Sequence, residues 1–407
     1  MPRHVAIPLL LLLALAAPVL AAAAPTYDVD YRVRLVPEDG TAEVAIVVGQ
    51  DDGVLRELGL ELDPDLYDDV RGDGEVEREG DRVTWLPPKA GGTLRYSHRI
   101  DHRRRGGGYD ARITRDWALL RGDDLVPPAR VRVAKGARSK ATLHVAGPEG
   151  WTAQTQWPEL EKGSFAVTNP EHSLARPTGW LIAGDIGIRL ERVAGTLLVV
   201  AAPKGDSMRR NEILAMLNLV LPEMKAAFGR LPPKLLIVGA DDPMWRGGLS
   251  APQSLYMHSD RPLISENGTS TLVHEVVHVV TGVRGAGRDR WIGEGIAEYY
   301  SLRLLRQVGM LSDSRYERAM GWMDERGGEA DSLRARLAQG AIRARAVVLF
   351  RDLDDEIRQE SDGGKSLDDL VRVLMKDGSV DLEDLREAAQ QVLGRPAKSL
   401  DVPLLDA

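Results

Sequence analysis

The amino-acid sequence predicts an α+β protein, in which an N-terminal β-sandwich-like domain precedes a mainly helical domain. Three observations lead to this prediction. Short segments of alternating polar and apolar residues fill the first half of the chain, turn residues separate them, and helical periodicity begins near residue 203. The 407 residues are 43% hydrophobic and 28% charged, as is ordinary for soluble globular proteins. This length suffices for two or three domains.

The first 23 residues are expected to be a signal peptide. A short basic segment at 2–4 precedes an apolar stretch at 5–20, and alanines follow at 21–24. The alternative is an uncleaved anchor, which Pro8, Pro18 and the alanine-rich end disfavour. No other stretch is long and apolar enough to span a bilayer. We therefore expect an exported protein, periplasmic or secreted, with no stable membrane insertion after cleavage.

Residues 24–202 are predicted to form the β-rich N-terminal domain. The period-two alternation is clearest at 29–35 and 42–46. Turn residues at 38–40, 79–81 and 147–150 separate the candidate strands, as expected for a sandwich of short strands. Further strands are predicted at 82–86, 130–133, 141–145 and 195–200.

Residues 203–407 are predicted to form the second domain. An amphipathic helix is expected at 207–228, because Gly229 and two prolines follow it. Short strands are expected at 235–238 and 254–258, on either side of a loop rich in Gly and Pro. Further helices are predicted at 270–281, 292–308, 313–325, 367–375 and 382–392, with two or three more between 331 and 359.

The composition restricts the chemistry. The net charge of -8 gives no general attraction to nucleic acid. The absence of Cys excludes disulfides, thiol nucleophiles and Cys-ligated zinc, so any metal must bind to His and carboxylate side chains. A basic, glycine-rich segment at 98–108 is interpreted as a solvated loop; the alternative is a contact for acidic partners or lipid head groups.

His274 and His278 flank Glu275 in the pattern H-E-x-x-H. In a helix the two imidazoles lie on one face, with Cβ atoms about 5–6 Å apart, which suits one zinc ion. In a strand they would lie about 13 Å apart and could not share an ion. Ser270 as an N-cap and Gly282 at the far end favour the helix, despite its many valines. The alternative interpretation is two buried histidines on a core helix.

Glu294 lies at the start of the next predicted helix, so a hairpin of two helices can bring its carboxylate to the histidines. Three protein ligands leave the fourth position of a tetrahedral zinc ion open for water, as in catalytic zinc sites. Glu275 is then the expected general base, since it points into the same cleft. Glu298 lies one turn after Glu294. It is predicted to accept a hydrogen bond from the second ring nitrogen of His274 or His278, which would fix the tautomer of that histidine, or alternatively to face solvent.

The chain resembles the gluzincin metallopeptidases, and among them most closely the glycyl aminopeptidase family. The resemblance implies an N-terminal β domain followed in the sequence by a thermolysin-like catalytic domain. It also implies that zinc binds to His274, His278 and Glu294 and that Glu275 is the general base. It covers about 247–394 and rests on four stretches: Gly247-Gly248-Leu249, which is similar to the G-G-L-E-H substrate loop; 274–278; 291–300, which is similar to W-x-x-E-G-x-x-x-Y-Y; and 353–369, which is similar to L-D-x-x-I-R…G-G-x-x-S-L-D-D.

The sequence departs from the family pattern at three places. In the predicted substrate-binding segment Gly247, Gly248, Leu249 and Ser250, the Ser replaces the Glu that would hold a substrate's amino group, and Ala replaces the following His. A Tyr that would stabilise the oxyanion aligns with Arg343, which could do so only by its charge. The PDZ domain common in the family is not expected, because the sequence stops at Ala407. Other oxyanion donors to consider are Tyr256, His258, Tyr299 and Tyr316.

Two functions are consistent with this pattern. The first is an exported zinc-dependent peptidase that hydrolyses peptides or proteins with metal-activated water and Glu275 as general base. The alternative is a catalytically impaired pseudopeptidase that serves as a zinc-containing protein-interaction module, which Ser250 and Arg343 favour. The sequence leaves open aminopeptidase or endopeptidase action, side-chain preference, physiological target and oligomeric state.

Overall fold

The computed structural model describes residues 24–405, and the predicted signal peptide lies outside the described residues. The alternating segments of the first region form a series of short strands, with one short helix, α1 (Gly122–Leu125), among them. The strands are β1 (Thr26–Val36), β2 (Thr41–Gly49), β3 (Leu55–Glu61), β4 (Tyr67–Gly72), β5 (Glu75–Glu79), β6 (Arg82–Leu86), β7 (Gly91–Arg99), β8 (His102–Arg103), β9 (Tyr109–Ile113), β10 (Trp117–Arg121), β11 (Ala129–Val133), β12 (Arg138–Ala146), β13 (Thr152–Thr155), β14 (Glu159–Glu161), β15 (Ser164–Val167) and β16 (Trp180–Gly184).

These strands form three sheets around a shared core. The largest has the order β14-β15-β12-β1-β2-β7-β4, and the others are β11-β3-β6-β5 and β13-β16-β10-β9-β8. Side chains alternate between the two faces of a strand, so Val29, Tyr31 and Val33 of β1 are buried while their neighbours are not. They belong to the same apolar cluster as Leu58 and Trp85 of the four-stranded sheet.

The second region contains a mixed sheet of order β17-β18-β19-β21-β20, so that β20 is one of its two edge strands. Its strands are β17 (Ile186–Val193), β18 (Thr196–Pro203), β19 (Lys234–Val238), β20 (Gly248–Ala251) and β21 (Ser254–Met257), and the short β22 (Arg284–Gly285) pairs separately with β23 (Ser379–Val380). The strand predicted at 195–200 was grouped with the first region, but as β18 it pairs in parallel with β19. The domain boundary at residue 202 stays a prediction. In the structure, the chain passes from the sheets of the first region to the mixed sheet between β16 and β17.

Helices cover this sheet and complete the α+β architecture that the sequence predicts, so the predicted fold class is confirmed. Their apolar faces form one core with the sheet. The helices are α2 (Arg210–Phe228), α3 (Thr271–Thr281), α4 (Trp291–Gln307), α5 (Asp313–Gly327), α6 (Ala341–Glu360), α7 (Leu367–Leu374) and α8 (Leu382–Leu393), followed by 3-10 turns at Lys398–Leu400 and Pro403–Leu405. No helix within 24–405 has the length and apolar character needed to cross a bilayer.

The segment 331–340, predicted to be helical, is irregular. The N–H of Leu333 donates to the carbonyl of Leu404, and Ala335 forms an isolated bridge with Asp289. Gly340 then precedes α6 with φ of +57°, a conformation that glycine adopts readily. These tertiary contacts, which the local sequence does not indicate, leave a single helix where two or three were expected.

A third apolar cluster joins the two regions. It combines Trp180 and Leu119 from the five-stranded sheet with Val199, Leu236 and Tyr256 from the mixed sheet. All five side chains are at most 1% exposed. The two regions are therefore packed on each other through apolar side chains rather than joined only by the chain.

Candidate metal centre

The H-E-x-x-H segment forms α3, as the sequence predicts from its ends. The Ser270 hydroxyl accepts the N–H of Val273 at 3.3 Å, and Gly282 closes the helix in the left-handed conformation. Val276 and Val277 are fully buried, so tertiary packing offsets the low helix propensity of valine.

Three ligand atoms converge between α3 and α4. His274 Nε2 lies 3.1 Å from His278 Nε2, and Glu294 oxygens lie 3.6 Å and 3.5 Å from these two nitrogens. Ligands about 2.0–2.1 Å from a tetrahedral ion are separated by about 3.3 Å. These separations therefore match three corners of one zinc coordination shell.

The position of Glu294 depends on a close approach of α4 and α6. A Cβ atom on Gly295 would lie 2.7 Å from Ala346 Cβ and 2.8 Å from the Phe350 ring. Only glycine allows this helix spacing without a shift of the neighbours. The same approach brings Arg343, in the first turn of α6, beside Glu294.

Glu298 lies behind the ligands. Its Oε2 is 2.9 Å from Nδ1 of His274, the nitrogen that faces away from the ligand cluster, and its side chain is only 7% exposed. Its Oε1 is buried without a hydrogen-bond partner among the described residues. A carboxylate in this position fixes the tautomer and orientation of a ligand histidine.

The charges of the site favour a bound cation. Burial lowers the pKa of His274, but hydrogen bonds to Glu294 and Glu298 outweigh this effect and raise that pKa to about 10. Burial likewise raises the pKa of Glu294, yet the two imidazoles hold it well below its usual value. The carboxylates thus draw positive charge into the cluster. Two imidazoles and a carboxylate at these separations fit a zinc ion.

Arg343 reaches the same carboxylates from α6. Its Nη2 lies 2.8 Å from Glu294 Oε2, and its Nη1 lies 3.9 Å from Glu298 Oε2. Its guanidinium therefore already has a carboxylate partner, which reduces its free positive charge.

Glu275 faces β20, an edge strand of the mixed sheet. Its Oε2 accepts the backbone N–H of Ser250 at 2.8 Å. A Cβ atom on Gly248 would lie 2.5 Å from Thr271 and 3.1 Å from Glu275 Cγ. The Gly-Gly-Leu segment therefore allows β20 to approach α3 closely, and Ser250 positions Glu275 with its backbone rather than its hydroxyl.

Two tyrosines of α4 hold it in place through a buried and a half-buried carboxylate. The hydroxyl of Tyr299 donates to Asp354 at 2.8 Å, and that of Tyr300 donates to Asp368 at 2.7 Å. Arg303 binds the same Asp368 through both terminal nitrogens. Contacts between α4 and the segment 353–369 thus fix the helix that carries Glu294 and Glu298.

A cleft of about 750 Å³ opens over the ligands. The predicted residues Gly247, Gly248, Leu249 and Ser250 line it, together with Glu275, Arg343 and the three candidate ligands. None of the alternative oxyanion donors lines it. The hydroxyl of Tyr256 is bound to the carbonyl of Trp245, and that of Tyr299 to Asp354, so neither points a free phenol at the site.

Sequence reasoning singled out Arg343 but missed the other six arginines of this cleft. Arg104, in the basic segment interpreted as a solvated loop, stacks over Trp245 with its Cζ 3.9 Å from the ring centre. The basic composition of that segment was the signal that could have revealed Arg104. Nothing in the local sequence distinguished the other missed arginines from ordinary surface residues. The seven arginines that line the cleft are Arg104, Arg121, Arg246, Arg261, Arg284, Arg290 and Arg343.

Comparisons with known proteins identify the fold. No protein-family model matches the sequence, and no curated protein matches it. Solved structures do match: one is an aminopeptidase N family protein from Idiomarina loihiensis, with a TM-score of 0.64 and 15% identity over 93% of this chain and 74% of that chain. Another is aminopeptidase A of Legionella pneumophila in complex with aspartic acid, with a TM-score of 0.57, 14% identity and 92% of this chain covered. The match spans 49% of that enzyme. At these identities the likeness shows a shared fold.

Proposed function

We propose that this protein is a zinc-dependent peptidase. The observation that carries the proposal is the convergence of His274, His278 and Glu294 within one cleft that Glu275 also lines. The names of the matching structures, both aminopeptidases, are consistent with peptide substrates.

His274, His278 and Glu294 would hold the zinc ion. When bound, zinc supplies a Lewis acid and lowers the pKa of a coordinated water to about 7. Glu275 would accept a proton from the attacking water and pass it to the leaving amine. The N–H of Ser250 would keep the Glu275 carboxylate oriented during this transfer. Glu298 would hold His274 with Nε2 free for the metal.

An extended peptide fits along β20. This strand pairs only with β21 within the described sheet and borders the cleft. Outer strands can bind extended peptides by main-chain hydrogen bonds, with neighbouring pockets for the side chains. Gly247, Gly248, Leu249 and Ser250 would then form one wall of the substrate site.

The cleft offers no evident anchor for a free amino terminus. The carboxylates that line it within residues 24–405 are Glu275, Glu294 and Glu298. Each is engaged, Glu275 by a backbone N–H and the other two by His274 and Arg343. Cleavage within peptides is therefore favoured over strict removal of single N-terminal residues.

The second candidate function is a zinc-containing pseudopeptidase that acts by binding another protein. The pairing of Arg343 with Glu294 favours it, because this arginine competes with the metal for a ligand oxygen. In an active enzyme the exposed part of the Arg343 guanidinium would instead stabilise the oxyanion, with Glu294 bound to the metal.

Metal analysis and proteolysis separate these functions. We expect the purified mature protein to bind one zinc per chain and to cleave peptides, and the activity to vanish with a chelator and return with zinc. Glu275→Gln should keep the metal and lose at least about 10²-fold in kcat. Stoichiometric zinc without cleavage above this variant would support the pseudopeptidase, and no zinc would refute both.

We also propose that the protein is exported, on the basis of its first 23 residues. Mass spectrometry of the chain isolated from its native host should then give a mature N-terminus near residue 24. An intact N-terminus would contradict cleavage.

A further inference from the structure

The cleft has a charge opposite to that of the whole protein. The chain carries a formal charge of -8. Yet the cleft is lined by seven arginines, with no lysine or aspartate and three glutamates. These glutamates are the proposed metal ligand, its outer partner and the general base. The surplus positive charge thus remains for a ligand, and a bound zinc ion would increase it.

Four of these arginines have carboxylate partners in the chain. Arg343 pairs with Glu294, Arg121 with Asp123 at 3.0 Å, and Arg104 with Asp110 at 3.8 Å. Arg246 is held by two aspartates in the same way. Their charges are largely compensated within the fold.

Arg261 is not compensated. Its Nη2 donates to the hydroxyl of Thr271 at 2.8 Å, and its Nε is buried without an acceptor. No carboxylate within residues 24–405 pairs with it. Thr271 is the first residue of α3, so this guanidinium lies at the amino end of the helix that carries the two histidines.

Arg284 and Arg290 are uncompensated at the other end. Both line the cleft and are exposed, and neither side chain has an ion-pair partner in the described part of the chain. Arg284 follows the C-cap of α3 by two residues, and Arg290 immediately precedes α4. The 11 residues of α3 correspond to a length of about 16 Å, which an extended peptide spans in about five residues.

We propose that the cleft selects acidic peptides, with carboxylates on both sides of the metal bound by Arg261 at one end and by Arg284 and Arg290 at the other. This inference rests on the proposed function for its cleavage step, but not for binding. Guanidinium groups suit carboxylates because their paired N–H donors match the two oxygens. The ligand is thus a peptide with glutamates or aspartates about five residues apart, one of which the C-terminal carboxylate can replace.

Binding and cleavage are measured separately. Zinc-loaded Glu275→Gln protein would be titrated with a fluorescent peptide that carries two glutamates five residues apart, and with its glutamine twin. We expect at least about tenfold tighter binding of the glutamate peptide, with an advantage that shrinks as salt is added. Free and amidated C-termini would show which carboxylate is bound.

Three variants locate the effect. Arg261→Gln, and Arg284→Gln combined with Arg290→Gln, should each reduce the preference for glutamate over glutamine about tenfold. Binding of the glutamine peptide should stay unchanged. The matched control is Arg318→Gln, because Arg318 is exposed on α5 outside the cleft. Thermal melts of each variant would verify that the fold is intact.

The outcomes are distinguishable. Equal binding of both peptides, or equal losses for both in the arginine variants, overturns the acidic-peptide inference even if the wild type is a peptidase. Selective binding without cleavage by the wild type supports the inference while refuting the proposed catalytic function.

Discussion

At the scale of single residues, the site combines three candidate metal ligands with Glu298, which contacts one of them. The spacing of His274 and His278 was enough to predict them as a pair of metal ligands. For Glu298, the sequence did not decide between a contact with a ligand histidine and a position facing solvent. The structure places Glu298 in contact with His274 Nδ1 at 2.9 Å. In the proposed metal site, an imidazole held in this way would present its other nitrogen to the ion without rotating.

Removal of the Glu298 charge should weaken metal binding. We expect Glu298→Gln to lower zinc affinity about 10–100-fold, because the amide is a poorer partner for the imidazole N–H. Competition with a chromophoric chelator at fixed pH measures this affinity. Glu317→Gln, on the exposed part of α5, is the matched control. Unchanged affinity in Glu298→Gln would assign this carboxylate a packing role only.

A second residue-scale prediction concerns His98 in the β region. Burial lowers its pKa to about 4, and its ring stacks on Tyr67 with centroids 4.7 Å apart. Because the folded pKa lies below the unfolded value of about 6.5, its contribution to stability is complete above pH 6.5 and is lost as pH falls toward 4. The nearby Asp124 acts in the opposite direction, since burial raises its pKa to about 6.

His98→Phe isolates this effect. The variant keeps an aromatic ring beside Tyr67 but cannot be protonated, and Asp124 is common to both proteins. Relative to wild type, the variant should gain up to about 1.4 kcal/mol in unfolding free energy for each pH unit between 6.5 and 4. Denaturant titrations at several pH values measure the difference. A gap that does not change with pH would mean that His98 titrates normally.

At the scale of elements, strand β20 is positioned by both halves of the protein. Glu275 of α3 binds the Ser250 N–H, while the indole N–H of Trp180 donates to the carbonyl of Leu249 at 2.9 Å. Trp180 belongs to β16 of the N-terminal region and is buried at the junction. The β region therefore fixes the backbone that orients the proposed base.

Two tryptophan substitutions test this connection. Trp180→Phe and Trp85→Phe each remove a buried indole that donates to a carbonyl, of Leu249 in the first case and of Asp73 in the second. Both should cost about 1–3 kcal/mol of stability. Only Trp180→Phe should also lower kcat/KM, because its partner Leu249 lines the cleft whereas Asp73, the partner of Trp85, does not. Equal activity in both variants would show that β20 does not need this bond.

Several elements could be predicted because their signals are local. The polar–apolar alternation of β1 and the cap residues of α3 are signals carried by neighbouring residues in the sequence, and both elements are present as expected. The parallel pairing of β18 with β19 and the irregular segment before α6 depend on distant partners, which one sequence does not reveal. Arg261 was overlooked for the same reason, since its importance arises only beside Thr271.

At the scale of the whole molecule, three apolar cores stabilise one body. The junction core buries Val199, Leu236 and Tyr256 of the mixed sheet against the β region. Removal of residues 24–184 would expose this face to water, and large exposed apolar patches promote association. The helical region is therefore not expected to be independent of the β region, although it contains every candidate metal ligand.

The roles in the cleft are divided between different parts of the chain. The candidate ligands come from α3 and α4, whereas Arg261 and Arg290 lie in connecting segments and Arg284 begins the short strand β22. Connecting segments tolerate replacement far better than packed helices do. Under the proposed function, substrate choice would therefore be open to redesign by grafting the short segments that carry Arg261 and Arg290, with α3 and α4 left untouched.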